Sequence, residues 1–372
     1  MFTRENTKQI KGIAILMMLA HHLFVFPDKI PYGMSLATSF SISGKELVTL
    51  IGQFCNICVS IYLFMGGYGL YKKAVVEDEA LTIRNGLGKD VWNLYRSYWK
   101  VFFVFVPIGF LFFANQVQYC ANQAVCYRFS EWSLENFLMN LVGMSYSYNS
   151  EWWFLWSYIF ALFVGYIFIE LFRGKQKLYS ECGAVILWAI LLADVFPIFP
   201  FYEGYEALWS NIWYKNIFLG SEYTIVALIG IVFAKYHIFE NWKKELAKLK
   251  TGERVIGALL AIVLIAYVRV FFVNNMFEIV LIPLFVFACH ILIEAVGFIK
   301  KPLEFLGKHS TNMWLVHTFY CFYFGITAKL VYASNNAIVA LVTLTALSLG
   351  TSIALELFWG TVGKLYRGIW KR

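Results

Sequence analysis

The sequence predicts an all-α polytopic membrane protein of ten transmembrane helices, and three observations predict it. Of the 372 residues, 60% are hydrophobic and 15% charged, against about 45–50% apolar and about 25% charged in soluble domains. Ten apolar stretches follow one another, each close to the ~20 residues that a helix needs to cross a hydrocarbon core. Twenty-five of the thirty-one Lys and Arg residues fall in every second gap between these stretches, whereas Lys29, Lys45, Arg128 and Lys215 occupy the other gaps. Cytoplasmic loops carry such an excess of cations, so the pattern places the N and C termini in the cytoplasm and requires an even number of spans.

Taken in order, the spans are expected near 10–26, 52–71, 98–114, 152–172, 183–200, 216–234, 255–273, 277–298, 311–331 and 337–360. The inner gaps hold Arg4, Lys8 and Lys11; Lys72 to Lys100; Arg173, Lys175 and Lys177; Lys235 to Arg254; Lys300, Lys301 and Lys308; and Lys364 to Arg372. The first run is short and follows positive charge, as a signal peptide does. His21 and His22 interrupt it and no small-x-small cleavage site follows at once, so it reads as a span. The longest outward segment, 115–151, contains an amphipathic piece from Ser130 to Asn140 suited to the interface and to an external mouth. No internal repeat is visible, which weighs against an inverted-repeat transporter. Residues 1–372 read as a single integral membrane domain, with no soluble domain appended.

The formal charge of +8 is dispersed among inner loops rather than gathered on one stripe. Anionic lipid accounts for it, and nucleic acid is excluded as a partner. The seven cysteines are an odd number spread over spans and loops, so they imply no disulfide framework. Cys55-x-x-Cys58 lacks the second ligand pair of a structural zinc site, and no metal is expected. Cys120 and Cys126 share an outward loop, and their pairing stays open.

Ionisable groups inside spans cost about 2.5–3.5 kcal/mol at a helix centre, so each marks a candidate site. They are His21, His22, Glu170, Asp194, Glu222, Arg269, His290, Glu294, His317, Lys329 and Glu356, several of which lie near span ends where snorkelling explains them. Eleven steps of about 100° bring His22 to within roughly 20° of Lys11, about 16 Å higher on one stripe, while His21 points about 80° away. One groove can thus carry a cation below and a base above, because a buried imidazole can accept a hydroxyl proton. The alternative is that the imidazoles merely bridge neighbouring helices. Ser310, Trp314 and His317 share another face at the i, i+4, i+7 spacing, with His317 expected in the inner half and His22 in the outer; a helix cap plus a packed histidine reads equally well. Lys89, Arg96 and Lys100 recur at spacings of seven and four. Such a stripe can hold the phosphates of a cytoplasmic cofactor, or simply mark the inner side.

These pieces, in this order, resemble the membrane-bound acyltransferase 3 family over nearly the whole chain. Lys11-Gly12 through His22 is similar to the family's Arg-Gly-(ten-residue spacing)-His opening. Val59 to Tyr68 is similar to its second-span Phe-Phe-x-x-Ser-Gly-Phe, and Trp152-Trp153-Phe154-Leu155 to its Trp-Phe-Leu. Leu306-Gly307-Lys308-His309-Ser310 with Trp314 and His317 resembles Leu-Gly-x-x-Ser-x-x-x-Tyr-x-x-His. Lys11 departs from the usual Arg and lacks its planar two-pronged grip on phosphate. The span 3 Arg-x-x-Arg-x-x-Pro-like pattern is not reproduced around Arg96. The resemblance implies ten spans in a bacterial-type plasma membrane. It also implies an O-acyltransferase that moves an acyl group, acetyl foremost, from cytoplasmic acyl-coenzyme A to a sugar hydroxyl of a lipid-linked or exported glycan. On that basis His22 is the expected catalytic base, and Lys11, Arg96, Ser310 and His317 are the expected cofactor contacts. His21, Ser60, Glu151, Trp152 and Trp153 are expected around the acceptor. A transporter or flippase for a small polar substrate is the competing class, since buried His and Glu residues also serve proton relays.

Overall fold

The computed structural model describes residues 2–36, 40–42, 44–77, 82–115, 118–119, 125–126, 128–174, 177–195, 207, 210–272 and 277–369. Cys120, Lys175, the end of the fifth expected span at 196–200, Lys371, Arg372 and the side chain of Asp194 lie outside them. The described chain is overwhelmingly helical, and all ten expected stretches carry helix. Among the described residues, six helical segments are long and apolar enough to cross a membrane: Leu47–Val75, Ser150–Phe172, Ile212–Lys235, Thr251–Phe271, Glu278–Val296 and Ala337–Leu365. Two ribbons of two-residue strands sit in connecting segments, pairing Ser41 with Glu46 and Gln118 with Cys126.

In chain order the helices are α1 (Arg4–Phe24), α2 (Leu47–Cys55), α3 (Cys58–Tyr71), α4 (Gly88–Phe112), α5 (Leu134–Leu141), α6 (Phe154–Phe172), α7 (Leu178–Val195), α8 (Ile212–Phe218), α9 (Thr224–Lys235), α10 (Ile238–Leu246), α11 (Thr251–Phe271), α12 (Glu278–Val296), α13 (Lys300–Thr318), α14 (Gly325–Tyr332) and α15 (Ala337–Ile369). The Thr3 hydroxyl caps α1 by accepting from the Asn6 amide, and the Asn6 side chain accepts in return from the Thr3 amide. The second apolar stretch is broken at Asn56 and Ile57 between α2 and α3.

α1 and α13 form the heart of the molecule. Both are too polar over their first turns to meet the composition of a lone lipid-facing span; Lys8 pairs across them with Glu304 at 3.5 Å, while Arg4, Glu5, Lys301 and Lys308 stay exposed. Their backbones nearly touch: a Cβ on Gly12 would lie 2.2 Å from the Leu303 carbonyl oxygen, and one on Gly307 would lie 1.8 Å from that of Lys8. Only glycine permits such an approach. α3 and α9 cross in the same way, Gly67 on the Ala227 carbonyl and Gly230 on that of Phe64.

By contrast, α11 is largely unburied along its apolar window. It is pinned at its far end, where Arg269 Nε lies 3.0 Å from Glu278 Oε1 and Ser60 donates to the same carboxylate; all three residues are buried. The amphipathic piece expected over Ser130–Asn140 is the short α5. Its end is held on α4 by Tyr98 Oη donating to the Asn140 carbonyl at 2.5 Å and Trp99 Nε1 to that of Leu141 at 2.9 Å.

Candidate active site

His22 and His317 meet. His22 stands eighteen residues into α1 and His317 seventeen into α13, so two parallel helices that start at one face carry the imidazoles to the same height, about 26 Å along each helix. His317 Nε2 lies 3.2 Å from His22 Nδ1. The expectation that His317 sits in the inner half, apart from His22, is corrected here. The ninth span was placed from 311, where the apolar run begins, but the helix starts at Lys300, and its first turns pack Leu303 and Gly307 on α1 while Lys301 and Lys308 stay exposed.

The contacts assign the protons. His22 Nδ1 is 2.9 Å from the Met18 carbonyl oxygen and His317 Nδ1 is 2.7 Å from that of Trp314. A carbonyl only accepts, so both Nδ1 atoms carry hydrogen. His317 Nε2 then accepts from His22 Nδ1, and the lone pair of His22 is on Nε2. That nitrogen lies 2.9 Å from Glu151 Oε2. Carboxylate and lone pair are both acceptors, so the contact holds one shared proton, as imidazolium and carboxylate or as imidazole and carboxylic acid.

Glu151 is set in place by a short 3-10 turn, Ser150–Trp153, stitched onto α13. Asn149 Oδ1 accepts from the Glu151 amide at 3.0 Å and from the Thr318 hydroxyl at 3.0 Å. Trp152 Nε1 donates to the Leu315 carbonyl at 3.1 Å, and Trp314 Nε1 donates to that of Glu151 at 3.3 Å. Beyond this turn, Arg128 donates to the Ser147 carbonyl at 2.6 Å and the Ser150 hydroxyl at 2.8 Å while its guanidinium covers the Tyr323 ring at 4.3 Å. Gly220, at φ +73°, lets the α8 to α9 connection close on the Trp153 ring, which a Cβ would approach to 2.7 Å.

Two cavities adjoin at this point. One, of about 380 Å³, runs from Thr7 and Lys11 past Tyr62, Lys73 and Asp90 to Ser310 and Trp314. The other, of about 220 Å³, is bounded by His21, His22, Glu151, Trp153, Phe26 and Cys58. Met18, Phe154 and Trp314 line both and form the wall between them. The ammonium of Lys11 has neither ion pair nor hydrogen bond among the described residues. Lys73 is paired with Asp90, whose second oxygen accepts from Tyr166 Oη at 2.8 Å.

The structure thus gathers most of the residues singled out by sequence. Lys11 and Ser310 line the first cavity; His21, His22, Glu151 and Trp153 line the second. Ser310 also donates to the Gly307 carbonyl at 2.9 Å, and His21 Nδ1 donates to that of Gly52 at 2.9 Å. Four residues stand elsewhere, among them His317, which was expected at the cofactor but lines neither cavity and meets His22 instead. Arg96 is exposed and outside the cavity, because the face of α4 turned inward carries Asp90, Asn93, Leu94 and Ser97. Ser60 is spent on Glu278, and Trp152 is fully buried beneath Glu151 as a support. Sequence reasoning missed Lys73 and Asp90, and it missed Met18 and Phe154 as the dividing wall. Nothing in their spacing marks them, since each faces the cavity only through the packing of α3, α4 and α6 on α1.

A family model described as an acyltransferase domain, acyltransferase 3, matches residues 8–357. No curated protein and no solved structure matches the chain. The match starts before Lys11 and extends beyond His317 and α13, taking in the histidine pair and every residue lining the two cavities except Thr7, and the chain belongs to the membrane acyltransferase 3 family.

Proposed function

We propose that this membrane acyltransferase carries an acyl group, acetyl foremost, from cytoplasmic acyl-coenzyme A to a hydroxyl of a sugar in a lipid-linked or exported glycan. The observation that carries the reading is the pair of cavities meeting at Met18, Phe154 and Trp314, one with the unpaired Lys11 ammonium and the other with His22 and Glu151. Coenzyme A phosphates suit the first, where the cation is partly withdrawn from water. The thioester then reaches the dividing wall. In the second cavity, aromatic Trp153, Phe26 and Trp314 offer faces to a sugar ring while Glu151 accepts from its hydroxyls.

The reaction starts with His22 neutral, its lone pair on Nε2. The acceptor hydroxyl oxygen attacks the thioester carbonyl carbon as its proton passes to Nε2, and the new C–O bond forms. Collapse of the tetrahedral intermediate breaks the C–S bond, and the imidazolium returns the proton to the departing thiolate, leaving ester and free coenzyme A thiol. Glu151 holds the imidazolium during this interval. The observed contact, with one proton between Nε2 and carboxylate, is the proton-loaded state of that pair. His317 takes the Nδ1 hydrogen of His22 and keeps the ring oriented. It is a positioning residue.

The test is thiol release from acetyl-coenzyme A by purified protein supplied with a glycan acceptor. His22→Ala is expected to reduce acceptor-dependent release by about 10²–10⁴-fold, the usual worth of a positioned general base. Wild-type turnover in that variant would remove His22 from the chemistry. Counterflow of a small polar solute in proteoliposomes lacking any acyl donor would instead favour transport.

A further inference from the structure

A third cavity lies apart from the two just described and shares no lining residue with either. Its volume is about 180 Å³, and it sits where the end of α10, the start of α11 and the final turns of α12 converge, between Lys243, Arg254, Phe287, His290, Ile291 and Glu294. Two of these groups carry unused donors or acceptors. His290 is 7% exposed, and its Nδ1 has no hydrogen-bond partner among the described residues. Arg254 donates from one terminal nitrogen to the Thr251 hydroxyl at 3.0 Å, while its buried Nε has no partner. The one carboxylate in the lining, Glu294, is engaged by Lys300 at 2.9 Å. The neighbouring Glu253 is turned back to accept from the Lys250 amide at 2.8 Å.

We propose that this cavity binds the phosphate of an anionic membrane lipid. Lys243 and Arg254 supply charge, the first turn of the 21-residue α11 presents the positive end of its dipole, and His290 Nδ1 supplies a further hydrogen bond. A lipid, rather than a free phosphate, follows from the surroundings. Phe287 and Ile291 make the rest of the lining apolar. Within the next turns of α11, Ile256, Leu259, Leu260 and Val263 are exposed, as are Val280 and Leu284 on α12. These faces accept acyl chains while the phosphate is held at the basic end, the arrangement by which cationic pockets between helices capture anionic headgroups. The cavity is separate from Lys11, so the site is independent of the acyl-transfer reading.

Native mass spectrometry of the purified full-length protein tests this with phosphatidylglycerol, phosphatidylcholine of the same chains, and inorganic phosphate. Phosphatidylglycerol should be retained on the wild type, and phosphatidylcholine should be lost under the same activation. Retention should fall roughly tenfold in Arg254→Gln and further in Lys243→Gln/Arg254→Gln, the size expected for charge-assisted contacts. Both positions are at least partly exposed, so thermal stability in detergent should stay at the wild-type value and confirm folding. Equal retention of the two lipids, or of phosphatidylglycerol by all three proteins, would overturn the proposal. Displacement of phosphatidylglycerol by inorganic phosphate or by coenzyme A at equal concentration would also overturn it, since either shows that the cavity recognises a soluble phosphate.

Discussion

Both ring nitrogens of His22 are engaged, and each partner does something different. Nδ1 is held by the Met18 carbonyl and by His317, which fixes the tautomer; Nε2 faces Glu151. Glu151→Gln keeps the volume and still reaches Nε2, but it can no longer balance an imidazolium. If His22 takes up a proton during turnover, Glu151→Gln should lower kcat by about 10²-fold or more with a much smaller change in KM for acetyl-coenzyme A, because the missing charge matters only once the proton has moved. Steady-state kinetics on acetyl-coenzyme A separates the two parameters. An effect confined to KM would make Glu151 a binding group alone. The sequence places Glu151 at the end of an outward loop and His22 in the first span, and it gives both as candidates. Their 2.9 Å contact depends on Asn149, Trp152 and Thr318 stitching that loop to α13, and no local pattern encodes a contact made across more than a hundred residues.

At the scale of helices, the chemistry depends on how closely α1 and α13 pack. Gly12 and Gly307 let the two backbones touch, and the histidine pair stands about two to three turns further along both helices. Gly307→Ala would put a Cβ 1.8 Å from the Lys8 carbonyl oxygen, against backbone that has no rotamer to yield. The helices must separate, at a cost of about 1–3 kcal/mol as in other overpacked interiors, and His317 withdraws from His22. A lowered thermal midpoint together with reduced thiol release is therefore expected. Gly257→Ala on α11, whose Cβ would meet nothing within 4 Å, is the matching control and should retain both. The same pair of helices shows what the sequence can and cannot convey. Hydropathy located helix in all ten stretches, because each helix hides its own backbone. It misjudged where the ninth begins, because Lys300 to His309 read as loop until Leu303 and Gly307 pack on α1 and His309 reaches Ser352 on α15. Arg96 was misassigned for a related reason: the stripe of Lys89, Arg96 and Lys100 follows from spacing, but which side of α4 turns inward is decided by its neighbours.

For the whole molecule, the alternation of basic gaps and the direction of the Lys11 cavity make one joint statement. If the side bearing Arg4, Lys8 and the first turns of α1 and α13 is cytoplasmic, the cavity beginning at Thr7 and Lys11 opens toward the compartment that holds acyl-coenzyme A. The cavity at Glu151 and Trp153, beneath the segment tied by Arg128, then opens toward the acceptor side. The topology can be measured without any assay of activity. If both termini face inward, as the basic gaps predict, green fluorescent protein fused after Arg372 should fluoresce and alkaline phosphatase fused there should be inactive. Alkaline phosphatase inserted near residue 122, in the longest outward segment, should be active. An active phosphatase at the C terminus would imply an odd number of crossings or an inverted chain. With the first helix inverted as well, Lys11 would face a compartment without coenzyme A, and a donor route through the larger cavity would fail even if His22 and Glu151 proved essential. The number of crossings and the side of the two ends therefore constrain the mechanism as tightly as any side chain, since they decide from which side the thioester reaches Met18, Phe154 and Trp314.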